Sequence, residues 1–150
     1  MNRPIRLAIN GASGRMGRAL LELLAGDARF ELMHAVVAPG SAHDGEPVSA
    51  GAAGALRYAQ DWSGAPALDV VIDFSEPTAL VAALDHCQTH GIALVSGTTG
   101  IDAALESQLG DAGRRIAILR AANFSLGVAM LTRPASERSR SSQVCSNTPP

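Results

Sequence analysis

Between an apolar run, IRLAI at Ile5 to Ile9, and an amphipathic segment that begins near Met16, the stretch INGASGRMGRALLELL carries three glycines, Gly11, Gly14 and Gly17. This GxxGxxG spacing constrains the fold more than any other feature of the chain. A glycine turn between a buried strand and a helix lets main-chain N–H groups at the helix N-terminus approach an anion, and a further glycine lets the helix pack closely on its sheet. The spacing is a variant of the dinucleotide-binding fingerprint, and its place after a strand and before a helix makes it more specific than the bare pattern. A tight turn with no ligand is the alternative reading of the same glycines.

The alternation of strand and helix continues along the chain. In the first helix Met16, Ala19, Leu20, Leu23 and Leu24 fall at helical spacing, so this set is expected to face the sheet. A second strand is expected over 30–37, then a Gly/Ala/Ser/Pro-rich loop over 38–54 and a short run, ALRYA, at 55–59. DVVIDF, Asp69 to Phe74, reads as a buried strand, and SEPT behind it puts Pro77 in the first turn of a helix. Leu80, Ala83, Leu84 and Cys87 then share one face, Gly91 stops the helix, and IALVS forms the next strand. Asp102 is the expected N-cap of a helix through Ala112, and IAILRA from Ile116 is one more strand. Strands separated by helices in this way imply parallel βαβ units. The expected fold is α/β: a Rossmann-type, doubly wound, mostly parallel sheet over residues 1–131.

Two more loops fall where open α/β sheets place ligands, at the carboxyl ends of strands. Gly97, Thr98, Thr99 and Gly100 follow IALVS, and Ala121, Ala122, Asn123 and Phe124 follow IAILR. Glycine and small hydroxyl side chains admit a flat ring near the backbone, and the Asn123 amide offers both a donor and an acceptor. GTTG alone is equally a capped turn.

Composition narrows the function classes. At 150 residues, 47% hydrophobic and 17% charged, the chain suits one domain with a core rather than two. A formal net charge of -2 gives no basic field for a nucleic acid backbone. A phosphate-binding P-loop requires a lysine, and the chain has none. Cys87 and Cys145 lie far apart with no disulfide framework, which fits a reducing, cytoplasmic setting, and no run approaches the length of a membrane span. His34, His43, His86 and His90 lack a ligand spacing, so no metal is expected. Cys87 reads as a packed small hydrophobe. Asp73 and Glu76 read as turn and helix-terminus charges rather than paired catalytic carboxylates. Arg15 and Arg18 follow the glycine turn, where a guanidinium can meet phosphate; Arg18 also reads as a solvated side chain.

GASGRMGR, VVIDFSEP, GIALVSGTTG and AANFSLGV, in this order, resemble the N-terminal half of 4-hydroxy-tetrahydrodipicolinate reductase, also called dihydrodipicolinate reductase, from about Ile5 to Leu131. The resemblance implies a Rossmann domain that binds NADPH or NADH in a cytoplasmic, usually homotetrameric enzyme of the diaminopimelate route to lysine. It places cofactor contacts on Gly11, Ala12, Ser13, Gly14, Arg15 and Met16, on Gly97, Thr98 and Thr99, and on Ala121, Ala122, Asn123 and Phe124. The pyrophosphate would lie over the first loop and the nicotinamide near the other two. In the family an acid often ends the second strand and holds the adenosine ribose. Here Val36, Val37 and Ala38 stand there and Asp44 is the first acid afterwards, so strict NAD preference is not expected.

The family's substrate domain and its HHxxKxDxPSGT-like stretch have no counterpart here, so no catalytic residue is assigned. The chain is expected to bind cofactor without turnover and without the family's tetramer. After Leu131 the sequence becomes TRPASERSRSSQVCSNTPP, in which Pro134 interrupts any helix. Residues 132–150 are expected to be disordered, the out-of-frame tail of a truncated chain with its C-terminal substrate domain missing. A short-chain dehydrogenase would need Tyr-x-x-x-Lys, but Trp62 stands four positions after the single Tyr58. A stand-alone nucleotide-binding or redox-sensing module is the alternative function.

Overall fold

The structure, a computed structural model, describes residues 2–48 and 56–121. Apolar runs bounded by turn residues give β1 (Ile5–Asn10), β2 (Phe30–Val36), β3 (Val70–Asp73), β4 (Ala93–Ser96) and β5 (Ile118–Arg120). The segments of helical period give α1 (Arg15–Leu24), α2 (Pro77–His90) and α3 (Ala103–Ala112). All strand pairs are parallel, in the order β2-β1-β3-β4-β5. The chain steps outward from β1 to β2 and returns to the far side of β1 as β3. The winding therefore reverses between β1 and β3, the position where open α/β sheets form a ligand crevice.

Both faces of the sheet are covered, which is why its strands are apolar throughout. Successive side chains of β1 point to opposite faces. Leu7 and Ile9 join Ala12, Leu21, Ala35 and Val48 beneath α1, whereas Ala8 joins Val71, Leu94 and the inner faces of α2 and α3. Leu80, Ala83, Leu84 and Cys87 of α2 are all buried, as their spacing predicts.

The helix boundaries follow local chemistry. Pro77 opens α2, and Gly91 closes it at φ 66 with its N–H on the Cys87 carbonyl. The Asp102 carboxylate accepts from the Leu105 N–H at 2.8 Å and caps α3, a contact whose loss costs about 1 kcal/mol. At the amino end of the sheet Arg3 makes a two-pronged ion pair with Asp69, which also accepts from the Arg6 N–H at 2.8 Å. This contact holds the Asp69 carboxyl well below the usual carboxylate range.

The expected inner face of α1 is corrected. Gly17 and Leu21 are buried with Leu20 and Leu24 half-buried beside them, while Met16, Ala19 and Leu23 are exposed, Leu23 at 74%. Two overlapping apolar stripes share this helix. The stripe containing Gly17 turns inward because that residue alone lets the helix backbone rest on the turn before it: a Cβ there would lie 2.3 Å from the Gly11 oxygen.

The ALRYA run has a small structural role. Ala59 bridges to Val36 in parallel, and Arg57 bridges to Pro47 in antiparallel fashion. The expectation for the tail, 132–150, and three of the site residues, Ala122, Asn123 and Phe124, lie outside the described residues.

Candidate functional site

Asn10, Asp73, Ser96 and Arg120 are paired in one row across β1, β3, β4 and β5. Each is the last residue of its strand, so the connections leaving at Gly11, Phe74, Gly97 and Ala121 lie side by side along the carboxyl edge. The register thus brings together the Gly11–Met16 loop, Gly97 to Thr99 and Ala121. The FSEP turn after β3 enters between them. It was missed as a ligand loop in the sequence, although it obeys the same strand-end rule that singled out the others.

The glycine loop is bent over the end of β2 by two N–H groups, those of Gly11 and Ala12, which both donate to the Val36 carbonyl at 2.9 Å. Gly11 has φ 79, and a Cβ on it would lie 2.4 Å from the Phe74 oxygen. Gly14 is different. It is the exposed N-cap of α1 at φ -71, and a Cβ there would meet only the Gly11 oxygen, at 3.3 Å. No side chain caps α1 and no acid stands in its first turn, in contrast to α3 with Asp102 and Glu106. Its N–H groups and positive dipole end are therefore available to an anion.

Gly11, Ser13 and Gly14 form one wall of a crevice of about 250 Å³, and Phe74, Ser75 and Glu76 form the other, with Val37 and Ala38 at its β2 end. It shares Asn10, Val37, Glu76 and Ala79 with a recess of about 170 Å³, lined largely by apolar side chains, that reaches Pro39 and Trp62. Among the described residues, Glu76 is the one carboxylate lining the crevice. Asp44 lies elsewhere and accepts from Gln60 at 2.8 Å.

Arg15, at the first position of α1, is exposed, and its side chain makes no hydrogen bond or ion pair among the described residues. Arg18 turns to a separate groove. There its Nη2 is 3.2 Å from His43 Nε2, and His43 Nδ1 is 2.7 Å from Glu46.

Asp73, read from the sequence as a turn or helix-terminus charge, takes a more central place in the structure. It is fully buried, and among the described residues every side chain that donates to it is neutral: Asn10, Ser75, Ser96 and Thr98. Donors 63 and 23 residues away in sequence converge on it, which no local pattern could reveal.

Beyond the crevice, Trp62 stacks on His86 at 4.9 Å, with His34 tilted against Trp62 at 5.7 Å and His90 tilted against His86 at 4.4 Å. Burial first, then the neighbouring imidazoles of His90 and His34, lowers the His86 pKa from the ordinary 6.5, and its Nε2 has no hydrogen-bond partner. Cys87 is buried, and its thiol is pushed up to about 12 by burial and then by Asp73, which makes it a poor nucleophile. Among the described residues no group of three or more His, Cys, Asp or Glu side chains is placed to hold a metal ion. No helix among them is long and apolar enough to cross a membrane.

A family model described as dihydrodipicolinate reductase, N-terminus, matches residues 5–124. A 4-hydroxy-tetrahydrodipicolinate reductase from Xanthomonas euvesicatoria pv. vesicatoria is 46% identical over 131 residues, covering 85% of this chain and 52% of that protein. One from Stenotrophomonas maltophilia is 45% identical over 132 residues, with coverage of 85% and 52%. The chain therefore spans about half the length of the curated relatives it matches. Among solved structures, it is similar to a dipicolinate-bound dihydrodipicolinate reductase from Paenisporosarcina sp. TG-14, with TM-score 0.65, 20% identity, and coverage of 85% of this chain and 51% of that one. An aspartate semialdehyde dehydrogenase with NADP from Candida albicans has TM-score 0.52 at 17% identity, covering 64% and 30%. At these identities the two structures speak for the fold alone.

Proposed function

The chain belongs to the dihydrodipicolinate reductase N-terminal family, and on that premise we propose that its carboxyl-edge crevice holds NADPH or NADH for reduction of hydroxy-tetrahydrodipicolinate in the diaminopimelate route to lysine. The observation that carries this reading is Gly14. Packing forbids a side chain at 11 and 17, whereas at 14 a Cβ would ask only for a few tenths of an ångström from the Gly11 oxygen, and this residue stands exposed at the uncapped N-terminus of α1 beside the crevice. A ligand pressed against the backbone there accounts for the missing side chain.

Gly11, Ala12, Ser13, Gly14, Arg15 and Met16 would form the loop under the pyrophosphate, with the N–H groups of Gly11, Ala12 and Gly14 shaping the turn and those of the first turn of α1, at Arg15 and Met16, together with the Arg15 guanidinium, left to meet the anion. Gly97, Thr98, Thr99 and Ala121 would bound the nicotinamide, with Ala122, Asn123 and Phe124 joining them on the strength of the sequence resemblance. When bound, that ring supplies the hydride. The chain favours NADPH at least as much as NADH, because among the described residues no acid stands at the β2 end of the crevice to repel a 2′-phosphate.

Hydride transfer also needs a group that holds the acceptor at near-attack distance and one that donates a proton. The family's histidine and lysine stretch has no counterpart among these 150 residues. The residues present here therefore account for holding cofactor and not for turnover.

Trp62, the single tryptophan, lines the recess adjoining the crevice and reports occupancy by energy transfer to a reduced nicotinamide. A saturable response to NADPH and NADH is expected, and its absence for both in a folded chain overturns the binding. With substrate generated in situ, loss of reduced-nicotinamide absorbance at a full-length relative's rate overturns the lack of turnover.

A further inference from the structure

We propose that Asp73 is a positioning residue, which holds the loop after β4 against the turn after β3 and thereby sets the nicotinamide end of the crevice relative to its pyrophosphate end. Both loop amides involved reach one carboxylate oxygen through a hydroxyl. The Ser75 N–H donates to Thr98 Oγ1 at 3.2 Å, and that hydroxyl donates to Asp73 Oδ2 at 2.7 Å. The Thr98 N–H donates to Ser96 Oγ at 3.3 Å, and that hydroxyl donates to the same Oδ2 at 2.6 Å. The other oxygen, Oδ1, accepts from Asn10 Nδ2 at 2.9 Å and from Ser75 Oγ at 2.5 Å. Asn10 also donates to the Ala79 carbonyl in the first turn of α2, at 3.1 Å.

Four donors from the ends of three strands thus meet on one side chain, and Asn10, Asp73, Ser96 and Thr98 are each at most 2% exposed. Each hydroxyl has a single proton, and a carboxyl group is the side chain that can accept from all four donors at once. An amide in its place would turn an NH2 toward two of these donors and leave buried protons without acceptors. The sheet itself does not require the carboxyl. Asp73 is already paired through its backbone with Asn10 and Ser96, and its carbonyl accepts from the Gly97 N–H at 2.8 Å. What depends on the side chain is where the loops stand.

Amide hydrogen exchange on the full chain tests this without any ligand. Asp73→Asn is expected to speed exchange at Ser75 and Thr98 by about tenfold or more, with the β1 and β3 amides of Ile9 and Val71 unchanged. Equal acceleration across the sheet, or none at Ser75 and Thr98, overturns the proposal. Ser96→Ala decides the matter if Asp73→Asn does not fold: it breaks one relay, so Thr98 should lose protection while Ile9 and Val71 keep theirs.

A second readout rests on the dinucleotide reading. Asp73→Asn should weaken NADPH about tenfold, as loss of a positioned contact does, while 2′-phospho-ADP-ribose, which lacks the nicotinamide, binds as before. A parallel loss of both overturns the positioning role. If the unsubstituted chain binds neither, the dinucleotide reading falls, and the exchange rates still decide the role of Asp73.

Discussion

Gly17 lies so close under Gly11 that a Cβ on residue 17 would stand 2.3 Å from the Gly11 carbonyl oxygen and 2.7 Å from the α-carbon of Ala12. These are backbone atoms fixed by the bonds of the turn to Val36. Gly17→Ala is therefore expected to lower stability by about 3 kcal/mol, because the helix must lift from the sheet. Gly14→Ala should cost at most about 1 kcal/mol, as a less favourable N-cap does. Urea unfolding of the two variants gives the comparison, and equal losses would contradict this division of roles.

The same two sites should exchange rank when binding is read. Gly14→Asp places a side chain and a negative charge where the pyrophosphate is proposed to lie, and it should impair NADPH and NADH alike while the chain stays folded. Calorimetric titration checks this; undiminished affinity in Gly14→Asp would move the pyrophosphate away from the N-terminus of α1.

Cofactor choice is expected to turn on the end of β2. Ala38 lines the crevice, and Ala38→Asp would supply the carboxylate that this position lacks. NADPH should then weaken by about tenfold or more relative to NADH, since a like charge beside it repels the 2′-phosphate. The ratio of the two dissociation constants is the measurement, and an unchanged ratio would place the adenosine ribose elsewhere.

The His86 environment predicts a pH dependence of stability. Burial, then His90 and His34, depresses its folded-state pKa below 6.5, while Asp85 acts in the opposite sense. The unfolded chain therefore binds the proton more tightly, so the contribution is complete above pH 6.5 and is lost as pH falls toward the lower folded value. Thermal midpoints should decline across that window. His86→Phe keeps a ring on Trp62, removes the unpartnered Nε2, and should flatten the decline; an equally steep profile in this variant would assign it to other groups.

Cys87 should be inert in the native state. Its thiol is fully buried and raised to about 12, so almost no thiolate forms at neutral pH. In a Cys145→Ser background an aromatic disulfide reagent should register no thiol until denaturant is added. Rapid labelling without denaturant would mean that α2 opens readily.

Neighbours in sequence were enough to determine the order of strands and helices. Apolar runs between glycine and proline signals located all five strands, Gly91 and Asp102 marked helix ends, and the spacing of Leu80, Ala83, Leu84 and Cys87 named the inner face of α2 correctly. Each of these depends on contacts within a turn or two of the chain. α1 escaped the same reasoning because two apolar stripes compete there, and close approach of Gly17 to the preceding turn chose between them. The glycine loop, GTTG and Ala121 could be marked as strand-end loops one at a time, but their adjacency comes from the register Asn10, Asp73, Ser96, Arg120. Only the tertiary structure placed Phe74 to Glu76 in the crevice wall and gathered Asn10, Ser96 and Thr98 onto Asp73 beside its near neighbour Ser75, since those three contacts join segments separated by most of a βαβ unit or more. Local periodicity records which side of an element is apolar; it does not record which strand ends will meet.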